Sequence, residues 1–213
     1  MAKIPFGVLG PFFGKAGPIS GYTWKGKAVM RSQRKPSNKP PTAAQAQQQN
    51  KFGVVSRFLG GISDFIKTSF KELAIGKTEF QCAMSYNMAN AVSGTNPDFT
   101  LHYDRVAVSR GSLPNAVLPE AKARDAAGEI IFTWADNTGI GLAAAADKAI
   151  PVLYYPGRNI WTRDIKPAVS RADGSVVLSI PGFSGQAIHT WLTFISEEGK
   201  AADSVYTGEV LVR

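Results

Sequence analysis

The sequence predicts a mainly β protein with a small α part, ending in an antiparallel sandwich of immunoglobulin-like or fibronectin-like type. From Asp98 onward, short runs of alternating apolar and polar residues follow one another, and turns such as Ala172–Gly174 separate some of them. No helical periodicity lies between these runs, which argues against alternating strands and helices. Before residue 95, apolar side chains instead recur every three or four positions, as they do on one face of a helix.

The predicted sandwich occupies residues 95–213. Phe99, Leu101 and Tyr103 alternate with polar neighbours, and Val106 and Val108 continue the alternation. Further strands are predicted at residues 129–134, 151–155, 175–180, 187–196 and 205–212. The chain has a single cysteine, so no disulfide within the chain can join the two sheets. The core is therefore expected to depend on the Val and Ile ladder with Trp134, Trp191 and Phe194.

Residues 42–94 are predicted to form a helical adaptor. Thr42 begins a helix, because a Thr followed three residues later by Gln45 has the spacing of a capping box. Gly60 and Gly61 interrupt the apolar stripe, which indicates two helices or one sharply bent helix. A second capping box at Thr78 begins another helix, which carries Cys82. The apolar stripe of the first part consists of Val55, Leu59, Ile62, Ile66, Phe70 and Leu73.

Residues 1–41 are predicted to form a basic arm rich in Gly and Pro. Frequent glycines before residue 26 cannot support a helix, so the segment is expected to be extended and to place aromatic side chains on another surface. Ile19–Ser32 has the pattern of a β-hairpin with its turn at Lys25–Gly26. Residues 33–41 contain three prolines and three cations, which is typical of an extended, solvated linker.

Positive charge is concentrated in this arm. The chain has a net charge of +8, and its first 63 residues contain ten Lys and Arg but no Asp or Glu. Cations interleaved with aromatic rings are typical of a surface that binds phosphates and stacks on bases. A basic segment can equally dock on a neighbouring protein or remain solvated. The candidate contact residues are Tyr22, Trp24, Lys25, Lys27, Arg31, Arg34, Lys35 and Lys39.

The sequence contains no convincing catalytic, cofactor or metal site. His102 and His189 are far apart and lack nearby ligands, so no metal site is expected. Gly139 and Gly141 have part of a dinucleotide-binding spacing, but no βαβ context surrounds them. Glu197–Glu198 is expected to be a solvated turn rather than a catalytic pair. We therefore predict a protein that is not an enzyme, with no cofactor and no small-molecule substrate.

No membrane segment is expected either, because no run of 18 or more apolar residues is present. Residues 4–19 are apolar, but their glycines and prolines would break the helix that a signal peptide needs. A bacterial cytoplasmic site of synthesis follows as the expectation.

Five short stretches, three near the start of the chain and two near the end, resemble the terminal signatures of an uncharacterised protein family common in Bacteroidota genomes and their prophages. These stretches are GKAG at 14–17, GYTWKGKAVMRS at 21–32 and NKPPTAAQ at 38–45, followed near the end by WLTFISEEG at 191–199 and SVYTG at 204–208. The resemblance implies no catalytic residues, since none are established for the family. Gln49–Asn50 departs from the Gln-Arg pair that related sequences often carry.

These observations favour a structural role over a reaction. We expect a bacteriophage virion component, such as a capsid-associated, collar or tail-connector protein, whose arm fastens it to copies of itself and to other virion proteins. The alternative is a nucleic-acid-binding accessory protein of a bacterium or prophage, located in the cytoplasm. The basic residues are spread over an arm, a hairpin, a linker and a helix, which favours contacts along an extended element.

Overall fold

The computed structural model describes residues 3–4, 10–24, 26–33, 39–163 and 169–213. The chain divides into two compact units, Met1–Thr42 and Ala43–Arg213. The boundary follows directly after Pro40–Pro41, where two consecutive prolines oppose helix formation.

The N-terminal unit contains a three-stranded antiparallel sheet. Its strands are β1 (Gly14–Ala16), β2 (Ile19–Trp24) and β3 (Lys27–Ser32), with β2 in the centre. The predicted hairpin is confirmed: Trp24 pairs with Lys27, and Gly26 has the positive φ of +77° that favours glycine. The structure adds β1 to this hairpin, where the sequence predicted only an extended arm.

Three helices begin the second unit. They are α1 (Ala43–Gly60), α2 (Ser63–Ser69) and α3 (Glu79–Asn90). The predicted interruption at Gly60–Gly61 is confirmed, and a Cβ on Gly61 would lie 2.6 Å from a ring carbon of Trp161. The capping box of α3 is confirmed as well: the Thr78 hydroxyl accepts from the Gln81 backbone, and the Gln81 side chain accepts from the Thr78 backbone.

The sandwich has one sheet of three strands and one of four. A small hairpin of β4 (Val92–Thr95) and β5 (Asp98–Leu101) precedes it. The three-stranded sheet has the order β10-β7-β6, and the four-stranded sheet has the order β12-β11-β8-β9, with every pair antiparallel. The strands are β6 (Val117–Ala123), β7 (Glu129–Ala135), β8 (Lys148–Tyr155), β9 (Ile160–Arg163), β10 (Ser175–Ser179), β11 (Ala187–Ile195) and β12 (Val205–Leu211). The predicted fold class is confirmed.

The four-stranded sheet is the middle layer of this unit. On one side, Leu153 and Leu192 pack with Phe132 of the smaller sheet in the sandwich core. On the other side, Val152 and Trp191 pack against the helices. Residues on both sides of the predicted division after residue 94 therefore pack in one apolar cluster.

Part of the predicted first strand is wrong. Tyr103 lies in a 3₁₀ turn, and residues 106–109 form no regular strand. Asn87 instead pairs with both backbone groups of Ala107, donating from Nδ2 at 2.9 Å and accepting at Oδ1 at 3.0 Å. Val106 and Val108 are buried as the alternation suggested, but a helix side chain takes the place of a partner strand.

Candidate interaction surface

The register of the N-terminal sheet separates its side chains into two faces. In an antiparallel pair, directly opposed residues project to the same side. Lys15 opposes Ser20, Ser20 opposes Arg31, and Trp24 opposes Lys27. Tyr22 lies two residues from both Ser20 and Trp24 on β2, so it shares their face.

The first face, termed here the cationic face, carries the exposed residues Lys15, Tyr22, Trp24, Lys27 and Arg31, and the half-buried Ser20 and Val29 lie among them. All five side chains are exposed. The Arg31 guanidinium lies over the Tyr22 ring, 5.5 Å from its centroid, which orders both groups through a cation–π contact. Tyr22, Trp24 and Arg31 together line a shallow depression.

The opposite side, termed the apolar face, carries Ile19 and Met30. Ile19 is 38% exposed and Met30 is 65% exposed. Close backbone packing occurs at Gly21, where an added Cβ would lie 2.1 Å from the Phe12 carbonyl oxygen. In the described part of this unit Gly21 is the one buried residue, so the sheet has no buried apolar core.

The sheet unites four of the eight candidate contact residues named from the sequence. Tyr22, Trp24, Lys27 and Arg31 share the cationic face. Lys39 is exposed and follows the sheet, outside its strands. The other three candidates, Lys25, Arg34 and Lys35, lie outside the described residues.

Lys15 is the member of the cationic face that the sequence reasoning missed. It lies four residues before the start of the predicted hairpin, and its pairing with Ser20 in β1 brings it to this face. The first acidic residue of the chain is Asp64, so no carboxylate within residues 1–63 offsets these cations. The cationic face therefore presents three positive charges beside two aromatic rings.

The sequence matches a family of unknown function, DUF6266, over residues 11–208. This chain belongs to that family. The matched region includes the N-terminal sheet, the helices and nearly the whole sandwich. No curated protein matches the sequence significantly.

Two solved structures have limited similarity to this DUF6266 chain. One is a family 76 glycoside hydrolase from a bovine Bacteroides thetaiotaomicron strain, with 10% identity and a TM-score of 0.38. The other is the FN1–FN3 region of chicken CNTN1, with 12% identity and a TM-score of 0.35. The similar regions cover 47% and 49% of this chain but only 20% and 36% of those chains.

The second unit contains an aromatic cluster around His189. The His189 ring stacks on Tyr103 at 3.9 Å between centroids, and its Nδ1 is 2.8 Å from the Tyr206 hydroxyl. Burial lowers the pKa of His189, against the opposing effect of Glu209. Burial and the neighbouring Tyr103 raise the pKa of Tyr154 to about 12. The histidine and the tyrosines are thus neutral at pH 7, which suits packing.

A second polar centre, built on Arg171, lies inside the sandwich. Arg171 is fully buried and donates to Asp147 at 3.1 Å, to Asn137 at 2.7 Å and to the Pro114 carbonyl at 3.1 Å. Its guanidinium also lies 3.8 Å from the centroid of the Phe194 ring. The guanidinium is therefore buried with its hydrogen-bond partners. These contacts join separate loops of the sandwich and leave no charged group of Arg171 open to solvent.

Other sequence candidates do not converge on a chemical centre. Among the residues that the structure describes, no three His, Cys, Asp or Glu side chains are grouped as metal ligands. Both members of Glu197–Glu198 are exposed, and Glu198 pairs with Lys200 at 3.0 Å. None of the helices in the described ranges is long and apolar enough to cross a membrane.

Proposed function

We propose that this protein is a non-enzymatic structural subunit that assembles through its N-terminal sheet. The observation that carries the proposal is the apolar face, because Ile19 and Met30 are exposed on a sheet without a buried core. A small sheet needs a hydrophobic face packed against something to be stable in water. Packing against a neighbouring copy or another assembly protein would supply that cover.

The proposed setting is a bacteriophage virion, in which the protein would be a capsid-associated, collar or tail-connector component made in the bacterial cytoplasm. Its support is the resemblance of both terminal signatures to a family common in Bacteroidota genomes and prophages. A folded sandwich joined in one chain to a sheet with an exposed apolar face also suits a building block used in many copies.

The apolar face can be tested by the double variant Ile19→Ser and Met30→Ser. We expect the full chain to form multimers and this variant to shift toward monomer, because each substitution removes apolar contact area. Light scattering after size-exclusion chromatography, over a range of protein concentrations, measures the mass. Electron microscopy of the same material shows whether the multimers are rings or shells.

The matched control is the double variant Ile140→Ser and Leu211→Ser, which changes exposed apolar residues of the second unit. Ile140 is 62% exposed and Leu211 is 65% exposed, comparable to Met30. The control should keep the mass of the unmodified chain. A chain that is monomeric at every concentration, or a control that dissociates equally, would contradict the proposal.

A further inference from the structure

The cationic face is chemically different from the apolar face on the other side of the same sheet. It contains five exposed side chains, of which three are cations and two are aromatic. None of its three cations takes part in an ion pair within the described part of the chain. The face therefore offers positive charge to an anionic partner and two exposed rings to flat groups of that partner.

We infer that the cationic face binds single-stranded nucleic acid. Tyr22 and Trp24 lie two residues apart on the central strand, so their Cα atoms are separated by about 7 Å along it and both side chains project from the same face. Exposed rings on a sheet act as platforms for unpaired bases. Lys15 on one flanking strand and Lys27 and Arg31 on the other place positive charge on both sides of that row.

This geometry favours a single strand over a duplex. In a duplex the bases are stacked on one another, so Tyr22 and Trp24 would find no free base face and only the three cations would contribute. An acidic protein surface would likewise satisfy the cations but would leave the rings without matching partners. The inference goes beyond the proposed assembly role, because it uses the opposite face of the sheet.

The test measures fluorescence anisotropy of a labelled oligothymidylate with the full-length protein. We expect the logarithm of the association constant to fall linearly with the logarithm of the salt concentration. The slope should be about −2, because each of the three cations contacts one phosphate and each contact releases about 0.7 counterions. Affinity should then fall about 15-fold between 50 and 200 mM salt. A duplex of the same length should bind more weakly.

Two sets of variants distinguish the contribution of base stacking to the affinity from the contribution of charge. Replacing Tyr22 and Trp24 with alanine should weaken binding at least fivefold, since each stacked base contributes measurably. Replacing the same residues with phenylalanine should retain most of the binding, because a ring remains at each position. The alanine variant should keep the circular dichroism spectrum of the unmodified chain, which would show that its loss of binding is not unfolding of the sheet. The charge variant Lys27→Glu with Arg31→Glu should abolish binding, whereas Lys77→Ala, which removes an exposed cation of the second unit, should not.

Three results would overturn the inference. They are absence of binding at 50 mM salt, tighter binding of the duplex, or an alanine variant that binds as well as the unmodified chain. A fourth would be equal competition by heparin, a polyanion without bases, because it would indicate a general anion surface; heparin should instead compete poorly. The apolar-face variant with serine at positions 19 and 30 should still bind the oligonucleotide, so failure of assembly and failure of this inference can be distinguished.

Discussion

Arg171 shows how a single residue can join several loops of the sandwich. Its side chain reaches one carboxylate, one amide and one backbone carbonyl, and the Trp134 indole donates to its backbone oxygen at 2.7 Å. Burial lowers the pKa of Arg171, and the Asp147 carboxylate opposes that shift. Removing the guanidinium from water costs desolvation free energy. The protein tolerates this cost because Asp147, Asn137 and the Pro114 carbonyl all accept hydrogen bonds from the buried group.

We expect Arg171→Met to lower the free energy of unfolding by about 3–5 kcal/mol, because it leaves Asp147 buried without its cation. Denaturation in urea measures the change. Adding Asp147→Asn should recover part of the loss by removing the unpaired charge. The control Arg213→Met removes the exposed pair with Asp125 and should cost less than about 1 kcal/mol. Equal effects of the two arginine variants would refute the structural role of Arg171.

At the scale of elements, side chains complete backbone pairing where strands are missing. Asn87 of α3 holds Ala107, and the Ser204 hydroxyl accepts from the backbone of Val108 at 3.0 Å. Ser109 in turn donates to the Ala202 carbonyl at 2.7 Å. The connection between helices and sandwich at residues 106–109 is therefore a buried segment whose backbone is held by side-chain hydrogen bonds.

Asn87→Ala should destabilise the protein by about 1–3 kcal/mol, because the buried N–H and carbonyl of Ala107 lose their partners. The matched control is Asn90→Ala on the same helix, where an exposed amide donates to the Tyr86 carbonyl at 2.8 Å. The control should change stability by no more than about 0.5 kcal/mol. Thermal and urea unfolding would give both values, and a neutral Asn87 variant would show that this clamp is dispensable.

The same scale shows where sequence patterns are insufficient for individual strands. β6 was not predicted, since Pro119 interrupts its apolar pattern and the pairing shifts register between Val117 and Glu120. Leu118, with a φ of 48°, lies in this irregular part. Such a bulge is stabilised by the neighbouring strand β7 and leaves little signal in local periodicity. β9 was not predicted either, because four residues at the edge of a sheet are too few to give a clear periodic pattern.

At the scale of the whole second unit, β8 and β11 belong to both apolar cores. Tyr154 and Trp191 face the helices, while Leu153 and Phe194 face the smaller sheet. Helices and sandwich therefore cannot lose their packing independently, because each uses the opposite side of the same two strands.

We expect the helical circular dichroism signal and tryptophan fluorescence to report one shared unfolding midpoint. Phe132→Ala removes a fully buried ring from the core between the two sheets, and it should cost about 3–5 kcal/mol. Both midpoints should fall together, although Phe132 belongs to the core that faces away from the helices. A helical transition that keeps its original midpoint would show instead that the layers unfold separately.

The sequence alone determined the features that depend on neighbouring residues. The α3 capping box, the break at Gly60–Gly61 and the Ile19–Ser32 hairpin follow from local spacing, and so do the positions of five of the sandwich strands. The concentration of positive charge in the first 63 residues was also evident without a structure, because it depends only on composition. These features were predictable since short-range sterics and hydrogen bonds specify them.

Only the tertiary structure decided which of these features act together. Lys15 joins Trp24 through strand register, Arg171 is buried through loops distant in sequence, and the helices cover a sheet formed about 60 to 150 residues later. A shift of one residue in pairing would move Tyr22 and Trp24 to the other face. Strand register in the N-terminal sheet therefore divides a run of basic, aromatic and apolar residues between one cationic face and one apolar face.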